Sequence, residues 1–482
     1  MSTSAATALP PPLPSPAPDA GARWSPHLWA TLIVLCGALF LDGLDVSMVG
    51  VALPSIGAEL HLSTAKLQWV VSGYVLGYGG LLLLGGRAAD LLGRRRVFLA
   101  AIAAFAVASL LGGLVSDPTL LVVTRFIKGV SAAFTAPAGL SIITTTFAEG
   151  PARNRALSIY TACGASGFSM GLVLGGLMTE VGWRLTFLMP VPIAVGVLIA
   201  GLRTIPRDAA LAPRRQGYDV AGAVTSTSAL LLLVYAVVEA PRIGWTSPRT
   251  VLAFALVAAL LTAFVTIERK VAHPLVRLAV LRSPTLVRAN LGAMVLFGSY
   301  VGFQFITTLY MQSLLGWSPL RMALALLPAG LMVAFGAPRA GGLVSRFGAG
   351  RLVSAGLASL LVGYLLFLRI DVRADYLTNI LPSVLLLGLG FALAFPSLNI
   401  MATAGVSDEE QGLASGLVQT SFQVGGAVVL AAVTAVIQAG SGADTTASGV
   451  LASYRPALAL VTGVAALGLV LSLAGVRRQP RG

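Results

Sequence analysis

The chain has 482 residues, of which 56% are hydrophobic and 10% charged, a formal net charge of +14, and a mean hydropathy of +0.88. Such a composition excludes an ordinary water-soluble domain. Arginine-rich loops facing anionic lipid account for the basic balance without nucleic acid, which leaves a polytopic protein whose main partner is the lipid bilayer.

Residues 1–26 are rich in Pro, Ala and Ser and lack the basic start and apolar core of a secretory signal, so they are expected to form a disordered tail. Apolar runs then follow at Leu28–Leu53, Leu67–Gly86, Val97–Val115, Leu120–Thr146, Leu157–Thr179, Leu185–Leu202 and Ala221–Val238. Seven more lie at Val251–Ile267, Leu291–Tyr310, Met322–Pro338, Leu352–Leu368, Tyr376–Ala404, Leu413–Ala439 and Ala457–Gly475. Each is close to the ~20 residues with which a helix crosses the hydrocarbon. With the N-terminus inside, the inner loops and tails carry 22 Lys and Arg, the outer loops 8, and Arg125 and Lys128 lie within the fourth run. That asymmetry predicts that both termini are cytoplasmic. The inner loop carrying Asp408, Glu409 and Glu410 is the exception.

Between the second and third runs lies the basic knot Gly85-Gly-Arg-Ala-Ala-Asp-Leu-Leu-Gly-Arg-Arg-Arg96. A degenerate copy, Gly341-Gly-Leu-Val-Ser-Arg-Phe-Gly-Ala-Gly-Arg351, aligns Gly348 with Gly93 and Ser345 with Asp90. Gly129 and Pro137 recur with the same spacing as Gly388 and Pro396. Both offsets equal eight helices, so two helices are inserted between six-helix halves. The expected division is a tail at 1–26, a bundle at 27–202, a linker with two inserted helices at 203–268, a second bundle at 269–476 and a tail at 477–482.

The knot resembles the Gly-x-x-x-Asp-x-x-Gly-Arg-Arg signature of the major facilitator superfamily, with Gly86, Asp90, Gly93, Arg94 and Arg95 at its positions. Leu44-Asp-Val-Ser-Met-Val-Gly-Val-Ala-Leu-Pro54 resembles the first-helix stretch of the fourteen-helix drug:proton antiporters. Arg125-Phe-Ile-Lys-Gly129 resembles their fourth-helix motif. Gly164, Gly167, Gly171, Gly175 and Gly176, followed by Gly182-Trp-Arg-Leu-Thr-Phe187, are similar to the antiporter motif, with Leu172 where the family has proline. The resemblance implies an all-α membrane fold of parallel six-helix bundles around a midplane site. It also implies multidrug efflux or antibiotic resistance by proton-coupled antiport.

The residues themselves leave alternatives open. The glycine row either packs α-helices closely or forms a sliding face. Asp90 either latches the two halves, through a helix N-terminus or Arg94, or belongs to a loop that only sets topology. Asp42, Asp45, Arg125 and Lys128 lie well inside apolar runs, and each costs about 2.5 to 3.5 kcal/mol at a helix centre on insertion scales. Asp42 and Asp45 share a helix face. Asp45, roughly 12 Å from the outer end of its helix, and Arg125, roughly 8 Å from the end of its own, overlap in depth. Their meeting in the outer half of a central cavity would make either a static ion pair or a proton-coupling site, with Asp45 first and Asp42 assisting. Lys128 either joins them or packs at a helix interface.

Tyr74, Tyr78, Phe303, Gln304, Asn399, Gln419 and Gln423 are candidates to line the cavity, although Asn and Gln in membrane helices also bond neighbouring helices. Glu239 is expected at the membrane interface. Cys36 and Cys163 read as packing residues with no disulfide or metal logic, and the three histidines are scattered, so no metal site is expected. No nucleotide-binding loop occurs. The expected cofactor set is therefore empty, with an ion gradient as energy source. The sequence points to a monomeric exporter of amphipathic, including cationic, compounds in a bacterial cytoplasmic membrane. The alternative is a facilitator taking up a small solute. Only Lys66, Lys128 and Lys270 of the 32 basic residues are lysine, which fits a GC-rich bacterium exporting its own metabolite.

Reporter fusions test the inserted pair. Fusions at Arg214 and Arg282 should read cytoplasmic and one at Gly244 external; a cytoplasmic Gly244 would remove the two extra helices.

Overall fold

The computed structural model describes residues 24–148, 151–207, 219–271, 280, 282–336, 339–404, 406, 411–440 and 446–476. Fourteen helices in them are long and apolar enough to cross a membrane. In order they are α1 Pro26–Glu59, α2 Thr64–Leu92, α3 Arg94–Leu114, α4 Pro118–Thr146, α5 Pro151–Val181 and α6 Leu185–Thr204. α7 Val220–Ile243 and α8 Pro248–Glu268 follow. The remainder are α9 Pro284–Leu314, α10 Pro319–Gly336, α11 Ala349–Phe367, α12 Tyr376–Thr403, α13 Gln411–Gly440 and α14 Ala447–Val476. A short helix, Ala340–Phe347, precedes α11.

Many helices start earlier than their apolar runs, because local chemistry sets the start and not hydropathy. Ser25-Pro26, Asp117-Pro118, Ser247-Pro248, Ser283-Pro284 and Ser318-Pro319 each open a helix. The Ser or Asp side chain accepts a backbone N–H three residues on, as Asp117 does from Leu120 at 2.9 Å. Proline fits the first turn, where its missing N–H costs nothing. Arg249, Arg288 and Arg321 therefore lie on helices and not in loops.

An even number of spans puts the N-terminal end of α1 and the C-terminal end of α14 at one face, here the terminal face. In the first bundle α1 packs on α5, α2 on α4, and α3 on α4 and α6. In the second, α9 packs on α13 and α14, and α11 on α12 and α14. The bundles meet along α2 with α13 and α5 with α10. The inserted pair stands outside this seam: α7 touches both α2 and α13, and α8 packs on α7. Glu239 of α7 is buried within this contact and accepts a hydrogen bond from Trp69 Nε1 at 3.1 Å. Both residues stand near helix ends, so Glu239 is covered by α2 close to the edge of its span.

Gly93 and Gly348 open α3 and α11 with φ of +96° and +84°. Only glycine takes that backbone region without strain, so the two halves turn alike at corresponding positions. Arg95 donates Nε to Ile205 O at 3.0 Å and Nη2 to Leu202 O at 2.7 Å. The favourable place for a cation is such a helix C-terminus, and here it is that of α6. Gly86 lies beside Pro137 of α4, whose Cβ is 3.8 Å from where its own would stand. Arg94 begins α3. The side chain of Asp90 lies outside the described residues, as do Arg214 and Asp408 to Glu410.

The two halves share one apolar core, which runs through the second bundle and takes in the first at the face opposite the termini. It joins Val49 to Ile56 of α1 with Phe303, Ile306 and Tyr310 of α9. At the terminal face the first bundle keeps a separate core around Leu32, Phe98, Ile142 and Tyr160. Hydrogen bonds cross between halves: Gln312 Nε2 donates to Val51 O at 2.8 Å, and Ser169 Oγ to Gly330 O at 3.1 Å. Gln312 lies in a π-helical turn, Leu309–Leu314, that ends α9, and such turns recur at functional positions.

Gln312→Leu removes a bond worth about 0.5 to 1.5 kcal/mol. The population open at the face opposite the termini should rise several-fold, to roughly tenfold. Spin-label distances between the far ends of α1 and α9, in a protein lacking Cys36 and Cys163, would measure it. An unchanged distribution removes Gln312 from the closure.

Candidate functional site

The charged residues of the membrane interior come together inside the first bundle. Arg125 and Lys128 are three residues apart and therefore share a face of α4. Arg125 Nη1 pairs with Asp45 Oδ2, and Lys128 Nζ with Asp45 Oδ1. One carboxylate thus holds two cations. Arg125 also donates Nε to Val70 O of α2 at 2.9 Å, and its guanidinium lies 4.8 Å from the centre of the Tyr74 ring. The Lys128 ammonium sits 4.7 Å from the Phe105 ring and 5.2 Å from that of Phe187. Aromatic faces attract cations in such geometry, more so away from water.

Glycines let this cluster close. A Cβ on Gly129 would overlap Tyr74 O, and one on Gly77 would overlap Phe126 O, so α2 and α4 touch backbone to backbone. That approach delivers the Val70 carbonyl to Arg125. From the other side, Gly167, Gly171 and Gly175 of α5 lie against Phe40, Leu44 and Met48 of α1, and Gly164 lies against Leu39. Gly176 points elsewhere, with its missing Cβ 2.7 Å from Leu320 Cα of α10. Four glycines of the row therefore pack α5 within its own bundle, and the fifth serves the seam between bundles.

Asp45 and Lys128 are 0% exposed, Arg125 2% and Asp42 9%. The pair does not line a central cavity, as its depth had suggested, because α2, α3 and α6 enclose it. Asp42, one turn nearer the terminal face, has a different partner: Thr135 Oγ1 donates to its Oδ2 at 3.4 Å. Among the described residues no ion pair to Asp42 is present.

At the far end, Trp183 Nε1 donates to Glu59 Oε2 at 2.7 Å. Arg184 pairs with Glu59 Oε1 and donates Nη2 to Ser116 Oγ at 3.0 Å. The Gly182–Phe187 stretch thereby clamps the ends of α1, α3 and α5. Trp183 also meets Phe187 edge to face at 5.9 Å, which steadies the ring beneath Lys128.

The candidate cavity residues separate. Phe303, Gln304, Tyr300 and Thr307 of α9 line a cleft with Leu326 of α10 and Val384 of α12. Phe303 is nearly covered, since it also packs on Tyr364 and Phe367 at 4.8 Å. Tyr74 and Tyr78 meet at 5.9 Å beside the charged cluster and away from the cleft. Gln419 Nε2 donates to Asn399 Oδ1 at 3.4 Å, and Asn399 Nδ2 to Phe395 O at 2.8 Å, so this pair ties α13 to α12. Gln423 packs against Gly79 at the bundle seam.

An aromatic row was missed in the sequence. Phe168, Tyr300, Phe391, Phe395 and Phe422 follow one another from α5 to α13 at 4.9 to 6.4 Å between ring centres. The four-residue step from Phe391 to Phe395 was the available signal. Thr307 Oγ1, buried in the cleft, has no hydrogen-bond partner among the described residues. Among the described residues no group of three or more His, Cys, Asp or Glu is placed to hold a metal ion.

The family model described as Major Facilitator Superfamily matches residues 35–430. The puromycin resistance protein pur8 of Streptomyces alboniger is 36% identical over 468 residues, 93% of this chain and 91% of its own length. The cephamycin export protein CmcT of Amycolatopsis lactamdurans is 37% identical over 413 residues, 85% of each chain. The crystal structure of a D-xylose-proton symporter superposes with a TM-score of 0.67 at 15% identity, over 92% of this chain and 97% of that one. This last likeness is one of fold.

Asp45→Ala would leave two buried cations without a counter-charge, a loss of about 3 to 5 kcal/mol for broken buried pairs. Lys128→Met leaves a one-to-one pair and should cost less. Thermal unfolding in detergent should therefore rank wild type above Lys128→Met above Asp45→Ala; equal midpoints for all three would deny the cluster its part in stability.

Proposed function

Because the chain belongs to the major facilitator superfamily, we propose that it exports amphipathic compounds across a bacterial cytoplasmic membrane in exchange for protons. It is a multi-pass membrane transporter; direction, coupling and cargo are what the proposal adds. The terminal face is taken as cytoplasmic, supported by the 22 basic residues assigned to it against 8 opposite.

The observation that carries the reading is the buried charge cluster of α1 and α4. Four ionisable groups inside a membrane are costly to keep, and an uncoupled carrier has no use for them. Two carboxyl groups and two cations balance, so a proton taken up changes the charge of the whole cluster. The roles divide by partner. Asp45, held by Arg125 and Lys128, keeps α1 on α4. Asp42 accepts a hydrogen bond from the Thr135 hydroxyl and, among the described residues, has no ion pair, and it takes the exchanged proton. A gain or loss of charge there is felt at Asp45 one turn away, hence at the α1 and α4 contact. Reorganised packing of α1, whose far end meets α9 through Gln312, then favours one orientation of the bundles over the other.

The cargo class follows from the aromatic row and cleft between α5, α9, α10 and α12. Flat apolar surface with the sparse polar groups Gln304 and Thr307 suits a compound with an apolar body. Relatives named for antibiotic resistance and export support the same class. The Gly86–Arg95 stretch is read as the cytoplasmic latch on its resemblance to the family signature, while Arg95 itself ties α3 to α6 within the first bundle.

Proteoliposomes carrying an imposed pH gradient test this with puromycin and ethidium as probes. Wild type should accumulate one of them inside inverted vesicles and move protons in return. Asp42→Asn should lose gradient-driven accumulation by at least roughly tenfold while retaining its thermal midpoint, whereas Asp45→Asn should lose both. Gradient-driven export by Asp42→Asn at the wild-type rate would move the proton elsewhere.

A further inference from the structure

The two cysteines of the chain, far apart in sequence, meet in the fold. Cys36 is buried in α1 and Cys163 partly exposed on α5, close enough for the two thiols to act on each other electrostatically. Packing makes this contact specific. Phe40 lies on Gly167, Leu44 on Gly171 and Met48 on Gly175, and Cys36 and Cys163 continue the same offset one turn further toward the terminal face. Helix axes usually stand about 8–10 Å apart, but glycines bring these two into backbone contact, with the missing Cβ of Gly167 only 2.9 Å from Phe40 Cα. On neighbouring rungs of such a ladder two cysteine side chains can meet the short Cα separation of about 4.4–6.8 Å that a disulfide requires.

We propose that Cys36 and Cys163 form a reversible thiol–disulfide site that pins α1 to α5 when a hydroperoxide reaches it. Cys163 is the thiol that a peroxide can approach. Its sulfur, as thiolate, attacks one peroxide oxygen, the O–O bond breaks, an alcohol leaves with a proton, and a sulfenic acid remains. The Cys36 sulfur then attacks the Cys163 sulfur; the S–S bond forms, the S–O bond breaks, and water leaves with the Cys36 proton. Two thiols and one hydroperoxide give one disulfide, one alcohol and one water, and the two electrons lost by sulfur reduce the O–O bond. A dithiol or phosphine reductant restores both thiols. The bond would lie less than two turns from Asp42 on α1, so it would fix the helix that carries both buried acids.

The test uses the full-length protein in lipid nanodiscs treated with cumene hydroperoxide. Wild type should yield one linked peptide pair containing Cys36 and Cys163, two hydrogens lighter than the reduced pair. Amide hydrogen exchange in α1 around residues 33–48 should slow by roughly tenfold, since the pinned helix opens less often. A phosphine should reverse both. Cys36→Ser should instead accumulate a Cys163 sulfenic acid that dimedone traps, with no slowing of exchange. Equal dimedone trapping in wild type and Cys36→Ser would overturn the proposal, as would a linked pair that leaves α1 exchange unchanged. Neither readout depends on the transported compound, so the result stands apart from the export reading.

Discussion

One carboxylate holding two cations in a membrane interior is the constraint around which the first bundle is built. Asp45 cannot be left without Arg125 and Lys128, nor they without it, since a lone charge in hydrocarbon is far costlier than a paired one. The requirement fixes α1 against α4 and recruits further elements. α2 supplies the Val70 carbonyl and the Tyr74 ring, α3 supplies Phe105, and α6 supplies Phe187. Every helix of the bundle except α5 therefore touches the cluster directly.

α5 contributes by the absence of side chains. Hydrocarbon gives no hydrophobic drive for helix association, so close van der Waals contact must supply it. The glycine ladder on α1 provides that contact, and the glycines between α2 and α4 do the same on the opposite side of the cluster. A helix packed this closely has few positions available to it. Because the far end of α1 also bonds α9 through Gln312, a change of charge at Asp42 or Asp45 acts on a member that is held at both ends by different bundles.

The inserted pair has a narrower part. α7 lies along the seam of α2 and α13 and is tied to α2 by Glu239 and Trp69, while α8 is left uncovered by the rest of the described chain over most of its surface. The pair covers one side of the interface between bundles and leaves the cleft of α5, α9, α10 and α12 on the other. Its burial of Glu239 shows how a residue near the end of an apolar run can be enclosed by a helix from another part of the chain.

Composition, run length and the recurrence of Gly93 as Gly348 determined a fourteen-helix membrane protein of two related halves with an inserted pair. Those features are legible because hydrocarbon thickness and the positive-φ turn each demand a local residue pattern. The charged residues of the interior were legible as well, since their cost marks them whatever surrounds them. What lay beyond the sequence was the partner of each. That Lys128 shares Asp45 with Arg125, that Asp42 has Thr135 instead, and that Asn399 turns to Gln419 depend on helix rotation, which a hydropathy run leaves nearly free. The enclosure of the ion cluster, the aromatic row from Phe168 to Phe422, and the meeting of Cys36 with Cys163 were decided only in the tertiary structure. Each joins residues of helices distant in sequence: the period of the α5 glycines marks a face that packs closely, but not that α1 is the helix it packs on.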